Sequence, residues 1–211
     1  VLQESRIIPT LEAQTIFLTG ATGFLGKIVL WKLLTTCPQV QRIYVLIRAK
    51  RGATPAERFE REVLSVFIFE DLLRANPELK SRIVALDGDI AKPGLGLSAS
   101  DTAELEREVT LILHCAATTK FMEQLRLAIE MNVLGSKRVL DLAKRCVQLR
   151  AMVHVSTCYV NSIRLGYTQI REKIYPLGNN ARKKWLHGTR TSPGHSTVWD
   201  PYHVLEYITA L

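Results

Sequence analysis

Thr15–Leu34 reads TIFLTGATGFLGKIVLWKLL, and this stretch decides the fold. An apolar run ends in three glycines, Gly20, Gly23 and Gly26, after which apolar residues recur with helical spacing. The order predicts a strand, a tight turn and a helix. Gly20 suits backbone angles closed to other residues, Gly23 leaves the main chain open to a pyrophosphate, and Gly26 lets the helix pack closely on its strand.

The N-terminus of that helix would direct its free N–H groups and its positive dipole end at phosphates. A glycine-rich turn without a ligand is the alternative interpretation. The position of the glycines between a predicted strand and a predicted helix favours the phosphate site.

Composition limits the function classes. The 211 residues suffice for one domain with a sizeable core, and the 47% hydrophobic and 23% charged contents are those of an ordinary globular protein. We find no apolar run long enough to cross a bilayer and no secretory signal. Because the chain does not begin with Met, Val1 is not expected to be the natural start.

Charge favours an anionic partner. Lys and Arg number 28 against 20 Asp and Glu, and the net charge of +8 suits a dinucleotide or coenzyme A. Nucleic acid is not expected, because the basic residues are scattered among acids and no recognition motif accompanies them. The four cysteines form no CxxC pair and no cluster with histidine, which predicts a reduced, intracellular protein without a metal.

Strands and helices are predicted to alternate along the rest of the chain. Further strands are expected at 42–47, 82–86, 109–114 and 151–155, each preceded by a helical segment. One of these helical segments is expected to run from the cap at Thr54 through Leu73. The alternation predicts an α/β, Rossmann-type parallel sheet with helices on both faces.

The expected organisation has three parts: a lead-in at 1–14, a cofactor-binding domain at 15–176 and an irregular tail at 177–211. We expect the fold to be incomplete at its C-terminus, with an exposed apolar face and an unpaired strand edge. The oligomeric state is left open, and a homo-oligomer is one alternative.

Arg48 follows the predicted second strand and bears on the choice of cofactor. An NAD-binding fold usually carries an acidic residue there to bind the ribose 2′-hydroxyl, but the first carboxylate after the strand is Glu57. A guanidinium pairs with a 2′-phosphate, so NADPH is preferred. Arg48 as a solvated cation is the alternative. Asp89, after the third strand, is the candidate for the adenine amino group, or equally a cap for the next turn.

Several motifs in this order resemble those of the fatty acyl-CoA reductases, which belong to the extended short-chain dehydrogenase/reductases, with thioester reductase domains as more distant relatives. The resemblance covers about 15–176. The motifs are TGATGFLGK (19–27), YVLIRAKRG (44–52), GLG (94–96), LHCAATTKF (113–121), MNVLGSKRVLDLAK (131–144) and MVHVSTCYVN (152–161).

The resemblance implies NADPH-dependent reduction of a long-chain fatty acyl-CoA to an aldehyde and then to a fatty alcohol. It also assigns the cofactor contacts. Arg48 would bind the 2′-phosphate, Asp89 and Ile90 would border the adenine, and Ala116 and Ala117 would line the ribose. The residues assigned to the pyrophosphate are Thr19, Gly20, Thr22, Gly23, Phe24, Leu25 and Gly26.

The resemblance further implies that Ser156 or Thr157 holds the substrate carbonyl and that a Tyr, with Lys four residues later, supplies a proton. Here the sequence departs from the family pattern, because no Tyr has Lys at that offset. Tyr207 is the positional candidate, and Leu211 stands four residues after it. The family's C-terminal region is absent from the sequence; in full-length relatives it is tied to acyl-chain binding and to association with the peroxisomal or endoplasmic reticulum membrane.

Three functions remain open at this point: an acyl-CoA reductase, a module that binds NADPH without turnover, and another extended-family enzyme such as a thioester reductase or a nucleotide-sugar epimerase. Cys115 and Cys158 could be imagined as nucleophiles, but neither has an evident base beside it. We expect Cys115 to be a core residue and His114 to be hydrogen-bonded rather than catalytic.

Overall fold

The computed structural model describes residues 11–37, 39–50, 52–120 and 122–157. Its centre is a five-stranded parallel sheet in the order β3-β2-β1-β4-β5. The five predicted strands and the Rossmann-type class are therefore confirmed. The strands are β1 Thr15–Thr19, β2 Arg42–Ile47, β3 Ile83–Asp87, β4 Leu111–His114 and β5 Ala151–His154.

The sheet is buried on both faces at its centre because β1 and β2 contain continuous apolar runs, at 16–18 and 43–47. Leu18 of β1 lies between Val45 of β2 and Leu113 of β4. Alternate residues of these strands point to opposite faces, so each face has its own core. Ile16 and Leu18 belong to one core, and Phe17 belongs to the other.

Helices cover both faces. The α-helices are α1 Phe24–Thr36, α2 Pro55–Phe59, α3 Phe67–Ala75, α4 Ala99–Glu108, α5 Leu125–Ala128 and α6 Gly135–Ala143; π-helical turns are Glu60–Leu64 and Ile129–Leu134, and 3-10 helices are Pro77–Arg82 and Pro93–Gly96. Leu30 and Leu33 of α1 pack in the first core. Val139 and Leu142 of α6 pack in the second core.

The prediction of one helical segment from Thr54 through Leu73 is wrong. The cap itself is present: the Thr54 hydroxyl accepts from the Glu57 N–H at 3.2 Å, and the Glu57 carboxylate accepts from the Thr54 N–H at 2.8 Å. The helix then widens into a π-helical turn and ends at Ser65, and α3 starts afresh with Val66 in an extended conformation. The apolar spacing continues across this break, which is why sequence periodicity did not reveal it.

The strand order reverses between β1 and β4, which are neighbours in the sheet. In a doubly wound sheet the crossovers leave this point in opposite directions, so a crevice opens at the carboxyl ends of the two strands. Gly20 follows β1 and Cys115 follows β4, and both therefore lie at this crevice.

β5 forms one edge of the described sheet, and β4 is its only partner among the described strands. Val153 is 49% exposed and Val155 is 38% exposed on the side that faces the first core. The expected exposed apolar face and unpaired strand edge stay predictions, since residues 158–211 lie outside the described part of the chain.

Candidate functional site

A cavity of about 580 Å³ opens at the crevice between β1 and β4. That volume lies in the range of small-molecule and cofactor sites. The described residues that line it are Gly20, Gly23, Phe24, Leu25, Gly26, Cys115, Ala117, Thr118, Thr119, Lys120, Ala128, Asn132, Ser136, His154, Val155, Ser156 and Thr157.

The glycine turn has the backbone geometry that its sequence predicts. Gly20 has a φ of +81°, and a Cβ there would lie 2.8 Å from the backbone nitrogen of Ala116. A Cβ on Gly26 would lie 2.6 Å from the carbonyl carbon of Gly20 and 2.9 Å from the Cα of Ala21. Glycine at both positions lets β1, α1 and the segment after β4 meet at one point. Gly23 donates its N–H to the carbonyl of Gly20 at 2.9 Å and closes the turn.

The N-terminus of α1 opens toward the cavity without a capping side chain. Its first N–H groups are therefore available to an anion, together with the positive end of the helix dipole. Phe24 is 85% exposed, and Phe24 and Leu25 both border the cavity. Thr22 is partly buried beside them. This geometry suits the pyrophosphate role that the sequence predicts for the turn.

Thr19 differs from the other turn residues because it is fully buried. Its hydroxyl accepts from the Ala116 N–H at 3.2 Å and lies 2.7 Å from Nδ1 of His114. Thr19 therefore supports the glycine turn from its buried side. Ala116 is held by this bond, while Ala117 is exposed and lines the cavity.

Two cations stand at the carboxyl end of β2, each beside a carboxylate. A guanidinium nitrogen of Arg48 lies 3.8 Å from Asp89, and Nζ of Lys50 lies 3.5 Å from Glu62. Both basic side chains keep about half of their surface in solvent, at 52% and 53% exposed. They remain accessible to an anionic ligand, and binding of a 2′-phosphate by Arg48 stays a prediction.

Arg58, on α2, is buried beneath this end of β2 and is 4% exposed. Its Nε and Nη2 donate to the two oxygens of Glu62 at 3.0 and 2.7 Å, and its Nη1 donates to the backbone carbonyl of Arg48. This bidentate pair holds the pKa of Glu62 down at about 2, with a smaller contribution from Lys50. Sequence reasoning did not single out Arg58, because charge patterning alone does not reveal a buried arginine.

The ion pair between Arg58 and Glu62 predicts that the free energy of unfolding depends on pH in the acid range. The pKa of Glu62 is about 2 in the fold against an ordinary 4.5, so its stabilisation is complete above pH 4.5 and is lost as the pH falls through 2. We expect the difference in unfolding free energy between the wild type and Glu62→Gln to shrink over that window, measured by denaturant titration at each pH. Glu70→Gln, an exposed glutamate of α3, is the control. A difference that grows on acidification would contradict the assignment.

Asp89 and Ile90 follow β3, and the structure shows how each is held. Oδ1 of Asp89 accepts from the N–H of Ala91 at 2.9 Å, so this carboxylate caps its own turn, one of the two roles that the sequence left open. Ile90 is buried against Gly135, and its carbonyl accepts from Arg138 at 3.0 Å. A contact of either residue with adenine stays a prediction.

Under the cavity, four polar residues form a buried hydrogen-bonded chain that we call the His114 chain: Thr19, His114, Ser136 and Asn132. Nδ1 of His114 lies 2.7 Å from the Thr19 hydroxyl, and Nε2 lies 3.0 Å from the Ser136 hydroxyl. Ser136 donates to the backbone carbonyl of Asn132 at 2.8 Å. Burial, and to a lesser degree neighbouring His154, lowers the pKa of His114 to about 4. The hydrogen-bonded role expected of His114 is confirmed.

Asn132 lies in the π-helical turn between α5 and α6, within the helical segment that the sequence predicts before β5. Its side chain accepts from the Thr118 N–H at 2.9 Å and donates to the Thr118 carbonyl at 3.0 Å. An amide is suited to this bidentate contact because it offers one donor and one acceptor. From the π-helical turn, Asn132 also lines the cavity.

Ser156 and Thr157 line the cavity immediately after β5, as expected for groups that would hold a substrate carbonyl. Tyr207 and Cys158 lie outside the described residues. Cys115 is partly buried, and burial raises the pKa of its thiol, so it is protonated at neutral pH and poorly suited to act as a nucleophile.

Within the described ranges, no three His, Cys, Asp or Glu residues come together as a metal site would require. No helix in that part of the chain is both long and apolar enough to cross a bilayer.

The fold and the glycine turn define the class of protein, a Rossmann-type domain built for a nicotinamide dinucleotide. A family model described as Male sterility protein matches residues 18–199, and the chain belongs to this family. Fatty acyl-CoA reductase 1 of Homo sapiens is 42% identical over 165 residues, which are 78% of this chain and 31% of that protein. Fatty acyl-CoA reductase 2, chloroplastic, of Arabidopsis thaliana is 34% identical over 190 residues, 87% of this chain and 30% of that protein.

The chain thus spans about a third of the length of these curated relatives. Among solved structures, the terminal R domain of the myxalamid PKS-NRPS pathway aligns with a TM-score of 0.65 and 31% identity, over 93% of this chain and 43% of that one. The reductase (R) domain of a nonribosomal peptide synthetase from Mycobacterium tuberculosis aligns with a TM-score of 0.56 and 30% identity, over 72% and 35%. Both likenesses support the Rossmann-type assignment.

Proposed function

We propose that the chain binds NADPH and takes part in reducing a long-chain fatty acyl-CoA, first to an aldehyde and then to a fatty alcohol. The observation that carries the proposal is the glycine turn with its positive-φ Gly20 at the rim of the cavity, together with Arg48 at the carboxyl end of the neighbouring strand β2. The relatives named fatty acyl-CoA reductase support the substrate class.

NADPH, when bound, would supply a hydride to the carbonyl carbon, and the two successive reductions would consume two molecules of NADPH. The chain's own residues would bind the cofactor and orient the substrate carbonyl. The glycine turn and the N-terminus of α1 hold the pyrophosphate, and Arg48 with Lys50 faces the 2′-phosphate. Ser156 or Thr157 donates a hydrogen bond to the carbonyl oxygen and favours the charge that develops there.

In the first reduction the C–S bond breaks and coenzyme A leaves as a thiolate that takes up a proton. In the second reduction the aldehyde oxygen takes up a proton from an acid group near the cavity. Tyr207, which lies outside the described residues, is the candidate that the resemblance provides for this acid.

The test has two stages. NADPH fluorescence is followed on titration of the chain, and absorbance at the nicotinamide band is then followed after addition of a long-chain acyl-CoA. Binding with acyl-CoA-dependent consumption supports the reductase. Binding without consumption supports a module that retains NADPH, and absence of both contradicts the proposal for this chain.

A second candidate is a reductase of acyl groups bound to a carrier protein. The alignment of the myxalamid R domain over 93% of this chain favours it. To distinguish the two candidates, NADPH oxidation is measured with the coenzyme A thioester and with the carrier-bound thioester, and the thioester that drives oxidation identifies the substrate.

Arg48→Ala tests the cofactor preference. We expect the Kd for NADPH to rise about tenfold, since a charge-assisted hydrogen bond to the 2′-phosphate is lost, and the Kd for NADH to stay within about twofold. Both constants are measured by fluorescence titration. Arg74→Ala removes an exposed arginine of α3 as a control. Equal weakening of both cofactors would show that Arg48 does not read the phosphate.

A further inference from the structure

The His114 chain joins three elements of the fold. Thr19 ends β1 directly before the glycine turn, His114 ends β4, and Ser136 lies in the first turn of α6. These three residues are 4% exposed or less, and Asn132 is 7% exposed. A row of buried polar groups costs free energy unless every group has a hydrogen-bond partner. The positions of the side chains in the His114 chain are therefore tightly constrained.

The donors and acceptors of the chain fit one protonation state of the imidazole. The Thr19 hydroxyl accepts from the Ala116 N–H and still has its own hydrogen to give, and Nδ1 of His114, 2.7 Å away, is the acceptor that the described residues offer it. The Ser136 hydroxyl gives its hydrogen to the Asn132 carbonyl and therefore accepts from Nε2. The result is a neutral imidazole with its hydrogen on Nε2.

No neighbour in the described residues favours a charged imidazole. His154 of β5 stacks on His114 with ring centroids 5.0 Å apart, and it is itself disfavoured as a cation because burial lowers its pKa. Cys115, the next residue along β4, is the other titratable neighbour, and it carries no charge at neutral pH. The hydrogen bonds that reach the ring come from the hydroxyls of Thr19 on β1 and Ser136 on α6, and neither group carries a charge.

The two ends of the His114 chain reach two different parts of the cavity lining. At one end, Thr19 precedes Gly20, where an added Cβ would lie 2.8 Å from the backbone nitrogen of Ala116. At the other end, Asn132 holds both backbone groups of Thr118. Gly20 and Thr118 both line the cavity.

We propose that His114 is a positioning residue: as a neutral imidazole between Thr19 and Ser136, it fixes the glycine turn relative to the wall at Thr118. The two walls of the cavity are thereby held as one unit. The inference rests on the proposed NADPH site only for its ligand-binding readout. His114 touches no ligand in this role and transfers no proton.

The first measurement is the ring ¹⁵N spectrum of His114 in the full chain without ligand. A single neutral form protonated at Nε2 between pH 8 and pH 6 supports the proposal. A ring protonated at Nδ1, or charged at pH 7, overturns it.

The second measurement uses Ser136→Ala and Thr19→Val, which remove one hydroxyl each with little change of shape. We expect each to speed amide exchange at Thr118 and to weaken NADPH binding about five- to tenfold, the effect of one lost buried hydrogen bond. Because both hydroxyls act through one ring, the double variant should bind more tightly than the product of the two single effects predicts. Strictly additive effects overturn the proposal.

Thr110→Val is the matched control. Its hydroxyl also links β4 to β1, accepting from the Thr15 N–H at 3.0 Å and donating to the Thr15 carbonyl at 3.1 Å, but at the opposite end of the strands. We expect it to lower stability while leaving NADPH affinity and Thr118 exchange unchanged. If Thr110→Val weakens NADPH binding and speeds Thr118 exchange as much as Ser136→Ala does, the proposal is overturned in favour of a purely structural role. Failure of the wild type to bind NADPH would contradict the proposed function, and the exchange and tautomer results would still decide the role of His114.

Discussion

Gly26→Ala is expected to raise the Kd for NADPH at least about a hundredfold and to lower the free energy of unfolding by about 3 kcal/mol. The added methyl group would lie against the carbonyl oxygen of Gly20 and 2.6 Å from its carbon, so backbone must move to admit it. Moving α1 away from the turn displaces the N–H groups that would face the pyrophosphate. Fluorescence titration measures the affinity, and denaturant unfolding measures the stability.

Gly94→Ala is the control for this substitution. Gly94 also has a positive φ, at +60°, but a Cβ there would meet nothing within 4 Å. Gly94→Ala should therefore lower the free energy of unfolding by only about 1 kcal/mol, the strain of a left-handed backbone, and leave NADPH affinity unchanged. Near-wild-type binding by Gly26→Ala would show that the turn can relax, and would remove the central argument for a phosphate site.

Arg58→Met is expected to have the next largest effect, a loss of about 2–3 kcal/mol in the free energy of unfolding. Methionine keeps the apolar stem but removes the donors to both oxygens of Glu62 and to the Arg48 carbonyl. The loss stays below the value for a fully buried pair because Glu62 is 25% exposed. Since the end of β2 is released, we also expect weaker NADPH binding than in Arg74→Ala.

The double variant Arg58→Met/Glu62→Leu decides whether the cost comes from an unpaired carboxylate. Removal of both partners should recover part of the stability lost in Arg58→Met, because no charge is then left without its partner. It should not recover NADPH affinity, since the Arg48 carbonyl still lacks its donor. If the double variant is less stable than Arg58→Met, packing and not charge determines the contribution of this position to stability.

The strands and the glycine turn were predictable from local sequence because each is specified by neighbouring residues. The β1 run is apolar without interruption, and the positive φ at Gly20 follows from a residue that alone tolerates it. The capping box at Thr54 was readable for the same reason, since its two hydrogen bonds join residues three positions apart.

The rest of the site depends on contacts between residues distant in sequence. Thr19 and His114 are 95 positions apart, and no local pattern shows that their side chains meet. Arg58 looks like any charged residue of an amphipathic helix, yet tertiary packing buries it under β2. The π-helical turn at Asn132 was not predicted because its wider hydrogen bonding, from i to i+5, has no residue pattern of its own in the sequence.

Helix α6 touches both ends of the crevice within one turn. Gly135 contacts Ile90, and Arg138 binds the Ile90 carbonyl, on the side proposed for adenine, while Ser136 borders the cavity on the other side. An engineer who widens either end of the crevice would therefore be altering the same few residues. Redesign of one end has to begin with a joint repacking of that single helical turn.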